Sequence, residues 1–463
     1  MDAFSDSGYW WLPGHESEPT PGVIHFEHGN LIRVELSGDL NGAAGPDYPI
    51  LFGDLRGGEH ITLTGCRRTE QSRDGATRKT LPQTVIADRI FRGAHLAEGI
   101  RTVCNLLSLE FEHLSEWALP EEPFINSQTE WVDDWPVRET RSYTFPPPIE
   151  FPFLEGTLKV TYHSSFESAT FNDETIVRRV ALVYVPSSPV RLEDLDDPVI
   201  ESLQQFLTLA CATPVHPTSI TFTTPSVLAN FLGSEKTHQP RIDYAWSNWH
   251  APTGRFQPWW SMLLPLRSIQ VKIAALFANW HDLRTSARAA LNLFFASELG
   301  HPLYLETRFL FVAQSLEVYH RRKFDGTQLP KEKHKARLSE IQQLLSSDPD
   351  LADWVKTKLK FSNEVTFRER MDALVRYAGP HASDVVPKDF PKTMADTRNY
   401  HTHFDKNQEN NAASKEGLYW LTQRATALGW CCFLRDLDLD SDESWDKLTQ
   451  TQEVRAILRF KAP

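Results

Sequence analysis

The sequence predicts an α+β protein: a strand-rich N-terminal region followed by an all-helical bundle. Two observations carry this. Of the 30 prolines, 23 lie at or before Pro265, and glycines are denser there too, so turn-forming residues crowd the first half. The spacing of apolar residues also changes, from alternation before that point to steps of three and four after it. A chain of 463 residues exceeds one ordinary core. The expected division is 1–265 strand-rich with a sub-boundary near 190, then connecting helices over 266–300, then a helical domain over 301–463.

Taken in order, residues 31–37 alternate, with Ile32, Val34 and Leu36 on one face and Arg33 and Glu35 on the other. Residues 50–52 and 61–64 read as a hairpin joined by 53–59. That connection is glycine-rich, but no lysine–hydroxyl pair follows it and no helix opens after it, so it reads as a strand turn and not a phosphate loop. Further strands are expected at 84–87, 105–111, 158–162 and 180–185, and 146–152 reads as a stiff extended connector or an edge of the sheet region. Val199, Leu203, Phe206, Leu207 and Ala210 recur at helical spacing, and a strand at 219–223 follows. The aromatic run Tyr244, Trp246, Trp249, Trp259 and Trp260 reads as core or inter-domain contact, with a stacking platform for bases or sugars as the alternative.

From Ile269 the helical period takes over. Ile273, Leu276, Phe277 and Trp280 form one stripe, and a break is expected at Gly300-His301-Pro302. Leu305, Phe309, Val312, Leu316 and Tyr319 line a helix over 303–322. Shorter helices are expected at 332–345, 351–361 and 367–377, one opening near Pro387, and a strong one over 412–434. The acidic tail 436–443 lacks the glycine and the final carboxylate of a calcium loop and reads as an exposed connector.

Composition closes several function classes. The net charge of −13 argues against non-specific coating of nucleic acid, which needs many cations, while leaving room for a local basic groove. Five scattered cysteines with no C-x-x-C pair support neither a disulfide framework nor a structural zinc site. With no apolar run of 18 residues and no signal-peptide pattern, a cytoplasmic protein without membrane partners is expected.

The stretch 395–404 holds the most concentrated chemistry. Arg398, Asn399 and His403 supply a guanidinium fork for phosphate oxygens, a carboxamide, and an imidazole able to move a proton, with Asp396, Tyr400 and His401 as accessory candidates. Three readings compete: polar helix capping, a metal site through His401 and His403, or a metal-independent ribonuclease. Helix positions two apart diverge by about 200°, and no other acidic–histidine cluster stands out in the sequence, which disfavours metal. Upstream, Arg321, Arg322, Lys323, Lys331, Lys333, Lys335 and Arg337, with His334, form a basic patch opposed by Asp325 and Glu332, where an RNA backbone could lie.

The Arg398-Asn399 pair followed by His403 resembles the motif of HEPN-superfamily ribonucleases, and residues 311–319 resemble the helix that precedes it in the Apea-type branch. The phrases 50–53, 61–66 and 105–111 resemble the strand-rich domain of the same proteins. The resemblance implies an endoribonuclease that uses no cofactor and leaves a 2′,3′-cyclic phosphate, with Arg398, Asn399 and His403 catalytic. It implies a homodimer through the helical domain and an anti-phage role in which the first domain senses a phage-derived trigger. The alternative is a non-catalytic module that binds nucleotide or protein, and a weaker third reading makes the first region a carbohydrate- or ligand-binding domain. His401 adds a second histidine inside the spacer, so which imidazole acts stays open. Five residues along a regular helix leave Arg398 and His403 about 140° apart, so convergence needs a helix distortion or a second copy.

Overall fold

The structure is a computed structural model and describes residues 1–40, 45–69, 83–120, 125–170, 173–230, 237–299, 303–324, 326–404, 406–439 and 442–459. The expected break at 300–302, Asp325 and residues 440–441 of the acidic tail lie outside them. The chain divides into two compact units. The first comprises Met1–Cys211, Val215–Trp259 and Leu264–Ala274; the second comprises Ala212–Pro214, Trp260–Leu263 and Ala275–Pro463.

In the first unit, strands β1 (Phe4–Trp11), β2 (Thr20–Phe26), β3 (Ile32–Leu36), β4 (Asp47–Leu55), β5 (His60–Arg68), β6 (Gln83–Ala87) and β7 (Arg89–Arg92) are all antiparallel. The order β5-β4-β1-β2-β3-β6 closes on itself because β6 returns to pair with Arg67 and Arg68 of β5. The other end of β5 pairs with β7 instead, through residues 61–64. One strand therefore belongs to both the barrel and the sheet that runs on from it. That sheet continues through Ile242–Trp246, Pro217–Thr223, Leu106–Phe111, Asp173–Pro186, Gly156–Thr170 and Ile149–Phe153.

Alternation explains the barrel wall: β3 buries Ile32, Val34 and Leu36 completely and exposes Arg33 and Glu35. The hairpin 50–64 is present but its turn is shorter than expected. Gly53 and Asp54 are still in β4, and Gly53 is needed for packing, since a Cβ there would lie 2.4 Å from the Trp10 ring. Helices α1 (Leu114–Trp117), α2 (Ser202–Cys211) and α3 (Leu266–Ile269) belong to the same unit. Of the aromatic run, Tyr244 and Trp249 are 1% exposed and belong to the core, whereas Trp246 and Trp259 are half-buried and Trp260 is 58% exposed, so the core reading holds for part of the run.

The second unit is helical: α4 (Ile273–Leu299), α5 (Leu305–Lys323), α6 (Lys331–Leu344), α7 (Pro349–Leu359), α8 (Phe367–Tyr377), α9 (Ala382–Val385), α10 (Phe390–His403), α11 (Glu416–Asp436), α12 (Asp442–Gln450) and α13 (Gln452–Arg459). The bundle is centred on α11, which is buried nearly throughout and contacts α5, α8, α9 and α13. Gly429 lets α4 approach it, because a Cβ there would sit 2.5 Å from the Phe294 ring. A capping box between Thr366 and Glu369 starts α8 where the sequence placed it.

One expectation fails at the end of α11. Asp436 opens the acidic tail but is not exposed: its side chain accepts from Tyr319 Oη at 2.6 Å and Tyr377 Oη at 2.5 Å and pairs with Lys323. Three helix ends are tied through one carboxylate, because a buried charge needs its hydrogen bonds filled. Among the described residues, no helix is long and apolar enough to cross a membrane.

Candidate functional site

Helix α10 buries Phe390, Met394 and Thr397 against the bundle, which leaves Arg398 half-buried beside that face. The Thr397 hydroxyl accepts from the Ala413 backbone N–H at 2.9 Å and anchors the returning chain. The helix runs without a break through His403 and ends on Phe404, whose φ of 51° closes it in the left-handed region. No distortion separates Arg398 from His403, which removes the single-chain one of the two expected routes to convergence. His403 stands exposed on the last turn.

Arg398 has defined partners. Its Nη2 donates to Glu317 Oε2 on α5 at 3.2 Å, its Nη1 to Asn399 Oδ1 at 3.3 Å, and its guanidinium carbon lies 5.5 Å from the Phe367 ring centroid. Glu317 also pairs with Arg321 at 3.1 Å, and Arg321 reaches Glu364 at 3.4 Å. Charges thus alternate along Arg398, Glu317, Arg321 and Glu364. A carboxylate shared by two guanidinium groups fixes both more firmly than a lone surface pair would.

One turn along α5, His320 is 3% exposed and its Nδ1 lies 3.1 Å from Arg370 Nη1. Burial, then the charges of Arg370 and Arg321, push the imidazole down to about 4. It is therefore neutral near pH 7, and Nδ1 accepts from the guanidinium. Arg370 is 1% exposed, and its Nε and Nη2 have no hydrogen-bond partner. Burial in turn lowers the guanidinium from its ordinary value.

His401 differs from His403. Both of its ring nitrogens are buried without a hydrogen bond, and the ring sits edge-on among Tyr400, Phe309 and Phe404 at 5.1, 6.1 and 6.3 Å between centroids. Asp396 and Tyr400 are half-buried on the same helix. Sequence reasoning gave no role to Glu317, Arg321 as its partner, His320, Glu364 or Arg370. The only local signal was the i,i+4 spacing of Glu317 and Arg321, which marks an ion pair but not a third partner on α10.

The basic patch divides in two. Arg321 and Lys323 are held in intramolecular ion pairs, whereas Arg322, Lys331, Lys333, Lys335 and Arg337 are exposed. On α6 the pairs 331/335 and 333/337 form stripes about 200° apart. A single nucleic-acid strand can follow one stripe at a time.

The first unit holds two clusters that the sequence did not reveal. Asp54, His60 and His95 lie close together, as do Glu112, His216 and His250, each set with its ligand-type atoms within 4.8 Å of one another. Neither stood out in the sequence, because the fold and not proximity along the chain assembles them. A cleft of about 730 Å³ in the same unit is lined by Arg89, Asp196, Tyr244 and Trp246, so two members of the aromatic run border a concave surface. All five cysteines are free and buried, and burial raises each thiol, Cys104 and Cys431 to about 12, which leaves them poor nucleophiles.

The family model described as ApeA N-terminal domain 1 matches residues 7–280, more than half of the chain. The chain belongs to the ApeA family. A second model, Apea-like HEPN, matches residues 310–443, which span α5 to α11 and include the whole Arg398–His403 element. In coarse terms this ApeA protein carries a HEPN module of the nuclease or nucleotide-binding kind. No curated protein and no solved structure matches the chain.

Proposed function

We propose that this ApeA protein is a metal-independent endoribonuclease and that its helical unit cuts RNA. The observation that carries the reading is the last part of α10. A guanidinium is lodged between Glu317 and Phe367, and an exposed imidazole lies five residues on, within the stretch that matches an Apea-like HEPN domain.

The chemistry follows from those groups. The ribose 2′-oxygen attacks the adjacent phosphorus as its proton passes to the His403 imidazole. The bond from phosphorus to the 5′-oxygen breaks, and that oxygen takes up a proton. The products are a 2′,3′-cyclic phosphate and a 5′-hydroxyl. The nucleophile is supplied by the substrate, so no water needs activation by a metal. Arg398 neutralises the charge that builds on the non-bridging oxygens, and Asn399 orients the fork through the contact at 3.3 Å. The unbroken helix keeps Arg398 and His403 about 140° apart, which favours a twofold homodimer in which two α10 helices complete each other. The exposed stripes on α6 would guide the RNA backbone. The anti-phage setting, with a phage-derived trigger sensed by the first unit in the cytoplasm, rests on family resemblance.

The alternative is a non-catalytic module that binds a nucleotide or protein. It is favoured by the same Glu317 contact, since a guanidinium already paired to a carboxylate has fewer donors free for phosphate. The two readings separate in one experiment: purified protein is incubated with RNA in EDTA, and the 3′ ends are analysed. Cleavage with cyclic-phosphate ends that is lost in both Arg398→Ala and His403→Ala supports the nuclease. Cleavage unchanged in both variants retires this assignment.

A further inference from the structure

We propose that Asp54, His60 and His95 form a binding site for a divalent transition metal, suited to zinc, on the barrel of the first unit. This is independent of RNA cleavage by the helical unit.

The donor atoms surround one point. Asp54 Oδ1 lies 2.6 Å from His60 Nδ1 and 3.1 Å from His95 Nε2, and His95 Nε2 is also 3.1 Å from the Gly53 carbonyl oxygen. A carboxylate serving two ordinary hydrogen bonds has two oxygens over which to spread them. Here both imidazoles meet the same oxygen, and a backbone carbonyl joins them. Two imidazole nitrogens with carboxylate and carbonyl oxygens make a borderline donor set of the kind that zinc takes. Neighbouring donors in a tetrahedral zinc site are about 3.3 Å apart, so side-chain shifts of a few tenths of an ångström would admit the ion.

The three residues are positioned by rigid parts of the fold. Asp54 and His60 are direct cross-strand partners in the β4–β5 hairpin. Asp54 also pairs with Tyr9 of β1, so its strand is held on both edges. His95 sits in the chain leaving β7, bracketed by one buried side chain: the Thr62 hydroxyl donates to Ala94 O and accepts from Leu96 N, both at 2.9 Å. Its ring lies edge-on to Trp11, at 5.2 Å between centroids, and against Phe52, at 5.1 Å. Such support fixes ligand geometry before an ion arrives. The His60 side chain is 51% exposed, so one coordination position faces solvent and an added ligand can reach the ion.

The second cluster lacks these features. Glu112 Oε1 accepts from Thr253 N at 2.6 Å and from its hydroxyl at 2.9 Å, and Oε2 accepts from His216 N at 3.3 Å. The His216 and His250 rings are stacked 3.6 Å apart at 19°, so their lone pairs run parallel and do not converge. It is a structural tie.

The test uses the full-length chain without a histidine tag, stripped with chelator and dialysed. Titration with Zn²⁺ is followed by calorimetry, and titration with Co²⁺ by the visible bands of a tetrahedral ion. Wild type should bind one ion that His95→Gln and the near-isosteric Asp54→Asn each weaken by at least about a hundredfold, the upper range for losing even an outer partner. His250→Gln, in the other cluster, should bind as wild type does. Circular dichroism identifies any variant that fails to fold, in which case the remaining one decides. Unchanged binding in the folded variants, no bound ion in wild type, or loss of the ion in His250→Gln alone would each overturn the site.

Discussion

The α10 element and the barrel cluster are built in opposite ways. Arg398, Asn399 and His403 lie within six residues on one helix, yet the straight helix keeps the guanidinium and the outer imidazole apart. Asp54, His60 and His95 span 42 residues and three parts of the chain, yet their polar atoms meet within hydrogen-bond distance. Nearness in sequence is thus a poor guide to nearness of functional atoms. On a helix the 100° step separates adjacent side chains, whereas strand pairing brings residues at a chosen register face to face.

The sharpest way to break this comparison is to remove the outer imidazole. His403→Ala should lower RNA cleavage by about 10²- to 10⁴-fold, the usual span for a proton-transfer group, with the melting temperature unchanged because the residue is exposed. His95→Ala should leave cleavage within about twofold, as expected for a residue of the other unit that takes no part in the proposed chemistry. A collapse of cleavage in His401→Ala with His403→Ala unaffected would move the role to the inner imidazole.

Next in size is a pH effect that rests on one depressed imidazole in each unit, buried His320 and half-buried His216. His320 and His216 are each pushed down to about 4, chiefly by burial, against about 6.5 in an unfolded chain. Between those values the unfolded state binds more protons, so stability is full above about pH 6.5 and declines as pH falls toward 4. For His320, at 3% exposure, the loss should be about 2–3 kcal/mol. Denaturant melts across that range should flatten in His320→Gln, and an unchanged slope would show that the buried imidazole is not the source.

Smaller effects sharpen the picture of the charged ladder. Glu317→Gln keeps shape but removes the charge facing Arg398 and Arg321, and should lower cleavage about tenfold, equal to about 1.4 kcal/mol. A rise in cleavage would instead identify Glu317 as a restraint on the fork. Smallest of all, Lys331→Ala with Lys335→Ala should weaken RNA binding a few-fold and reduce its salt dependence by about two phosphate contacts. Equal losses from the 333/337 stripe would place RNA on both sides of α6.

Much of the fold was legible because its signals are local. The alternation in β3 and the stripe along α5 are written within one strand or a few turns, and α8 announced its own start with Thr366 and Glu369. The strands β1 and β2 were missed because Trp10, Gly22 and nearby prolines obscure their alternation, and Gly53 looked like a turn residue while serving to admit Trp10. Asp436 looked like part of a solvated acidic run, and only its neighbours on α5 and α8 make it a buried tie.

By itself, then, the sequence determined the α+β order, the helical setting and the Arg398–His403 motif, all of which depend on residues a few positions apart. Tertiary structure decided that Glu317 would hold Arg398 from 81 residues away and that Arg370 would be buried against His320. It also decided that β6 would close the barrel and that one aspartate oxygen would meet two histidines. Such outcomes depend on register and burial, which are settled only when distant segments compete for the same space and the same hydrogen bonds.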